Sequence, residues 1–201
     1  HIVLQETATR YRLELVDLEK QAQRSPEYLT LNPNGRVPTL IEDGFVMYEA
    51  AAITMYIAEQ HGEAGLAPPP ATLSRARYYQ WMAHLTNSVQ EALNQWFHPN
   101  HFVSGTQTES AFKKNAEKRL EKMWGNLDEA LSKSPYLLGD RFSACDAYLF
   151  FLTCWQTRLK KSMIRERLHL AEFFKTVKNR PSVERTLEAE GIASWYSIDN
   201  D

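Results

Sequence analysis

Cysteine is nearly absent from this chain of 201 residues: there are two, Cys145 and Cys154. So few cannot build a disulfide framework, and the usage is that of a protein kept in a reducing, cytoplasmic compartment. The two lie on one predicted helix, nine residues apart. At about 100° per residue they point to nearly opposite sides and cannot bridge each other. Long apolar runs are missing as well. The longest, Ala147 to Leu152, falls far short of the ~20 residues that span a bilayer, so no membrane partner is expected. Charge of one sign is also scarce, the formal net charge being −2. Through Gly62 the balance is −4 and beyond it +2. Neither half forms a polyanion-binding surface, and nucleic acid is not an expected partner. The sequence contains no phosphate-cradling glycine loop, no serine-hydrolase elbow, no internal repeat and no low-complexity tract.

Several residues that could carry chemistry read as structural instead. His98 and His101 have a spacing that could bring two imidazoles together, but Pro99 lies between them and no third ligand is near; no metal is expected. Arg158, Lys160, Lys161, Arg165 and Arg167 form a basic cluster without interleaved aromatics, which reads as a solvated turn. Ser143-Ala144-Cys145-Asp146 reads as a capping box with Asp at its last position. In it the Ser143 hydroxyl would accept from a helix N–H, and Asp146 would return to the N–H of Ser143.

With 43% hydrophobic and 24% charged residues, the chain is long enough for one large or two small cores. Gly65 and Pro68-Pro69-Pro70 interrupt all periodicity, so residues 63–73 read as a linker between domains at 1–62 and 74–201. The first domain alternates short elements: a helix to about Ala8, a strand near Tyr11 to Val16, a helix near Pro26 to Leu31, a hairpin and a third helix. The second is helix upon helix. Met82, Leu85, Val89, Leu93 and Trp96 recur at three and four, as do Phe112, Ala116, Leu120, Met123, Leu127 and Leu131.

The most informative segment is Asn34-Gly35-Arg36-Val37-Pro38-Thr39-Leu40-Ile41 followed by Tyr48-Glu49-Ala50. Gly35 permits a tight turn, and Pro38 forces Val37 into an extended conformation; Thr39-Leu40-Ile41 then reads as a short strand. Asp43-Gly44 is a hairpin turn, and the chain returns to a helix from about Glu49 to Gln60. If the Val37–Pro38 bond is cis, the Val37 backbone groups can face a peptide-like ligand. The first N–H groups of the helix can receive a carboxylate, and Glu49 can hold an ammonium. Ammonium, carboxylate and a nearby amide together describe the γ-glutamyl end of glutathione.

With both halves present the chain resembles the glutathione transferase family, particularly its bacterial, beta-like members. The likeness extends to His1-Ile2-Val3-Leu4-Gln5-Glu6 as a first helix, Asp17-Leu18 as the end of a second strand and Leu66-Ala67-Pro68 as an interdomain linker. It also takes in Gly139 to Leu149, which looks like the entry to the sixth helix of the family. The resemblance implies an α/β thioredoxin-like N-terminal domain, an all-α C-terminal domain, a homodimer and glutathione as co-substrate, without metal. Detoxification by addition of the glutathione thiol to a small hydrophobic electrophile is the implied activity, with peroxidase or thiol-reductase turnover beside it. The rival is a non-catalytic glutathione-binding or protein-interaction module of the same fold.

Residue by residue, the resemblance assigns Val37 and Pro38 to the cysteinyl moiety, Glu49 to the γ-glutamyl ammonium and the Ala50 N–H to its carboxylate. Lys20 and Arg36 are the matches to residues reaching the glycyl carboxylate. Gln90, Trp96 and Phe97 would wall the second-substrate pocket. Ala83 and Gln90 stand where beta-like relatives often carry Asn and His, so the substrate range of that class does not transfer. Tyr78 and Met55 are outward candidates for a dimer contact. The residue that stabilises the thiolate is a Tyr, Ser or Cys in the family, and none occurs among the first eight residues. The expectation is that it lies upstream of His1, with a further strand.

Overall fold

The computed structural model of the protein describes residues 1–157 and 162–192. Helix α1 (Ile2–Glu6) buries Val3 and is closed by Thr7, whose hydroxyl donates to the Val3 and Leu4 carbonyls at 3.0 and 3.2 Å. The alternation from Tyr11 to Val16 does not become a strand; the backbone there has no regular structure. An alternating segment forms a strand only where a neighbour pairs its backbone and covers one face. Among the described residues the sheet has two strands, neither bonded to this segment, and Leu13 and Leu15 stay exposed. Tyr11 is held instead through its hydroxyl by His1 and Gln5.

Helix α2 (Pro26–Leu31) forms where expected: Pro26 is in the first turn, and the Ser25 hydroxyl accepts from Tyr28 N at 3.1 Å. Strands β1 (Thr39–Glu42) and β2 (Phe45–Tyr48) make an antiparallel hairpin with Thr39 opposite Tyr48 and Glu42 opposite Phe45. Helix α3 (Ala50–Gln60) follows at once, with Ile53, Ile57 and Ala58 buried.

The segment between α3 and the next helix is tightly held. Arg75 is buried, donates to the Pro68 carbonyl at 2.6 Å and to Glu59 at 2.5 Å, and lies against the rings of Tyr78 and Tyr79. Helix α4 (Leu73–His84) passes through a π-helical turn, Leu85–Gln90, into α5 (Glu91–Phe97). Then come α6 (Thr106–Leu131), α7 (Ala144–Thr157), α8 (Leu168–Lys178) and α9 (Pro181–Ala189). Helix α7 is central; it packs on α1, α3, α4, the π turn and α8. Tyr78, four residues before Met82, continues the core stripe of α4 and is fully buried rather than outward, and Met55 is packed against the core; Tyr79 is the exposed ring.

At the head of α7, Asp146 accepts from Leu137 N and Ser143 N, each at 2.8 Å, and from the Ser143 hydroxyl at 2.6 Å. The hydroxyl thus donates to the carboxylate, the stronger acceptor within reach, and no helix N–H bonds to it among the described residues. Cys145 and Cys154 are buried and not disulfide-bonded, and burial pushes both thiols upward. Arg158, Lys160 and Lys161 of the basic cluster lie outside the described residues; Arg167 reaches the Met163 carbonyl and Glu121. His98 and His101 stack at 5.1 Å between centroids. Among the described residues no group of three or more His, Cys, Asp or Glu could hold a metal, and no helix is long and apolar enough to cross a membrane.

Candidate functional site

The loop before β1 is fixed from behind by buried polar groups. Asn32, 2% exposed, donates from Nδ2 to the Arg36 carbonyl at 2.7 Å, and Tyr28 donates its phenol to the same carbonyl at 2.9 Å. Because that phenol has a single proton, Thr39 Oγ1, 2.8 Å away, donates to it in turn. Gly35 has φ +57°, and a Cβ there would meet the Gln23 carbonyl and Arg24 Cδ at 3.0 Å, so both backbone conformation and space demand glycine. Val37–Pro38 is cis. Val37 is 43% exposed, and its backbone N–H and C=O have no partner among the described residues.

Glu49 closes the hairpin and precedes α3 in a conformation that non-glycine residues avoid, φ +75° and ψ 103°. Such strain persists only where the surroundings impose it, and it concentrates at functional sites. The Glu49 side chain makes no capping bond to its own helix. It faces instead a cavity of about 360 Å³ lined by Arg24, Asn34, Arg36 and Glu49. Two guanidinium groups and one carboxylate suit a ligand bearing carboxylates and an ammonium.

Of the residues assigned from the sequence, Arg36 and Glu49 share this cavity, Val37 and Pro38 form its adjoining turn, and Ala50 opens α3. Lys20 does not line it: its ammonium is captured by Asp17 at 2.9 Å, three residues back in the same turn, and the side chain is 84% exposed. Arg24 takes that place. It ends the turn Ala22–Arg24, and its proximity arises from the close approach of that turn to Gly35. An isolated arginine ahead of Ser25-Pro26 carries no local signal of that approach.

Gln90, Trp96 and Phe97 lie in the helical half and do not line that cavity. Gln90 accepts from the Tyr148 hydroxyl of α7. Phe97 meets Trp96 edge-on at 5.0 Å and Trp155 at 5.9 Å, and Trp155 meets Phe151 at 5.3 Å. Phe151 is 41% exposed, which opens this aromatic row to solvent. Lys113 of α6 covers the Trp96 ring at 3.9 Å, so Trp96 backs the row. Tyr148, Phe151 and Trp155 share a face of α7 by their spacing; the nearly continuous apolar run Ala147 to Trp155 hid that face.

The family description "Glutathione S-transferase, N-terminal domain" matches residues 1–59, and the corresponding C-terminal domain matches residues 79–181. The chain belongs to the glutathione S-transferase family. Glutathione S-transferase GstA of Escherichia coli O157:H7 is 31% identical over 195 residues, covering 96% of this chain and 92% of the relative. Disulfide-bond oxidoreductase YfcG of Escherichia coli K12 is 30% identical over 199 residues, covering 96% and 86%. Among solved structures, a sphingomonad glutathione S-transferase complexed with glutathione has a TM-score of 0.82 and 29% identity, covering 96% of this chain and 93% of that one. The thioredoxin-like first domain with its small sheet and the helical second domain agree with these structures.

Proposed function

We propose that this glutathione transferase joins the thiolate of glutathione to small hydrophobic electrophiles, and that it works in the cytoplasm as a homodimer with a role in detoxification. The observation that carries the reading is Glu49: strained, free of any capping bond, and facing a cavity with two arginines. In this reading Glu49 holds the γ-glutamyl ammonium, the first N–H groups of α3 at Ala50 receive the adjoining carboxylate, and the Val37 backbone pairs with the cysteinyl unit. Arg24 and Arg36 hold the glycyl carboxylate. Helix N-terminal N–H groups and paired guanidiniums both favour anions, so these contacts agree in sign.

The aromatic row Phe97, Trp155 and Phe151 offers planar apolar surface for the electrophile. With an aryl halide the glutathione sulfur forms a bond to the carbon bearing the halogen, halide departs with the bonding pair, and the thiol proton passes to solvent. Similarity to a relative named disulfide-bond oxidoreductase supports thiol-reductase turnover as an accompanying activity. Retention on immobilised glutathione, together with turnover of an aryl halide, a hydroperoxide or a mixed disulfide, is the expected result. Retention without any turnover would support a non-catalytic glutathione-binding module, and absence of both would overturn the reading.

A further inference from the structure

Four polar side chains, Arg24, Asn34, Arg36 and Glu49, line one cavity, and none of them bonds to another protein group among the described residues. The two guanidiniums and the carboxylate are opposite in charge, yet no ion pair within 4.0 Å joins them. Opposite charges held apart around one space leave it to a ligand that pairs with each. The fourth side chain, Asn34, is neutral, and its position is set from behind. The buried Asn32 carboxamide accepts from Asn34 N–H through Oδ1 at 3.1 Å and donates through Nδ2 to the Arg36 carbonyl at 2.7 Å. The Asn32 backbone carbonyl accepts from Gly35 N–H at 2.9 Å. One buried residue thus spans the loop from Asn34 to Arg36 and leaves the Asn34 side chain to the cavity. A Cβ on the next residue, Gly35, would lie 3.1 Å from Arg24 Nη1, so Asn34 stands at the guanidinium end.

With glutathione placed at Glu49 as described above, on which this inference rests, most of its polar groups have partners. Glu49 takes the ammonium, the head of α3 the adjoining carboxylate, the Val37 backbone the cysteinyl N–H and C=O, and the two arginines the glycyl carboxylate. The glycyl N–H is left over, beside that carboxylate. Arginine has no acceptor to offer it, and a second carboxylate there would repel the glycyl one. A carboxamide can accept the N–H through Oδ1 and present its own N–H groups to the carboxylate, at no cost in charge. We propose that Asn34 accepts from the glycyl N–H and is a specificity-determining residue, so that the protein takes a thiol peptide whose terminal residue is joined through an amide.

Titration calorimetry with glutathione and with its depsipeptide, in which an ester oxygen replaces the glycyl N–H and the carboxylate is kept, tests the assignment. The parent is expected to prefer glutathione by about fivefold, the order of one neutral hydrogen bond. Asn34→Ala should abolish that preference by weakening glutathione more than the depsipeptide, whereas Arg36→Gln should weaken both ligands and keep their ratio. Asn34 holds the loop through its backbone N–H, so its truncation leaves the bonds to Asn32 in place. Equal weakening of both ligands by Asn34→Ala would mean a purely structural role, and unchanged binding of both would mean no role; either overturns the proposal. Should Asn34→Ala fail to fold, the parent still decides, since equal affinity for the two ligands overturns the proposal with no change to the protein. Glu49→Gln separates the two levels. If it weakens both ligands while the parent shows no preference, only the Asn34 assignment falls; if it changes neither, the glutathione placement falls with it.

Discussion

Arg180 grips Glu6 with two parallel bonds, Nε to Oε1 at 2.8 Å and an Nη to Oε2 at 2.9 Å, tying the first helix of the N-terminal domain to the head of the last described helix. Ser182 donates to the same carboxylate, and the Arg180 guanidinium lies 4.0 Å over the Phe142 ring. Burial raises the Glu6 carboxyl, but hydrogen bonds from Arg180 and Ser182 outweigh it and hold the group below the usual glutamate value. Since α1 has only five residues, its position depends on this anchor more than on its own propensity.

Glu6→Gln should therefore destabilise the protein by about 1–2 kcal/mol, discounted for partial exposure of the pair. A depressed folded pKa contributes stability above the ordinary value of 4.5, and that contribution is lost as pH falls through the lower folded value. Denaturant midpoints of parent and variant should differ at pH 7 and converge in acid. A gap that does not narrow would show that the pair acts through packing alone.

Asp146 titrates with the opposite sense. Burial pushes its carboxyl up to about 6 from 3.8, its three donors limiting the rise. A raised folded pKa contributes stability that is full below 3.8 and lost as pH rises through about 6. Asp146→Ala should cost about 3 kcal/mol or more at pH 7 by orphaning buried donors at Leu137 and Ser143. Its deficit should widen by up to about 3 kcal/mol between pH 7 and pH 4. Chemical denaturation at both pH values checks this; a deficit that shrinks in acid would contradict it.

For Glu49→Gln the expected outcome is a loss of glutathione affinity by about 1.5–3 kcal/mol with little change in melting temperature, because the carboxylate makes no bond within its own helix cap. Calorimetry showing equal affinity for variant and parent would remove Glu49 from the site.

Gly35→Ala should raise the KM for glutathione while lowering stability by about 1 kcal/mol or more. The new Cβ meets backbone at Gln23 as well as Arg24, and φ is positive. The displaced Arg24 lines the cavity. Steady-state kinetics giving an unchanged KM would mean that the Arg24 turn does not touch the ligand.

Local sequence determined much of this protein. The Ser25-Pro26 helix start, the Asp43-Gly44 hairpin, the helix after Glu49 and the turn at Gly35 each follow from residues within a few positions, because caps, turns and periodic burial are short-range. The core stripe Met82, Leu85, Val89 and Leu93 was readable for the same reason. Where the outcome depended on distant neighbours, only the tertiary structure decided. The segment Tyr11 to Val16 has the alternation of a strand but no bonded partner among the described residues, so its leucines face solvent. Lys20 was lost to Asp17 while Arg24 was carried to the cavity by the approach of its turn to Gly35. Tyr148 meets Gln90 only because α7 packs on the π turn. Spacing along a chain specifies which face a side chain occupies; which charge or ring meets it across the fold is set by the packing of elements far apart in sequence.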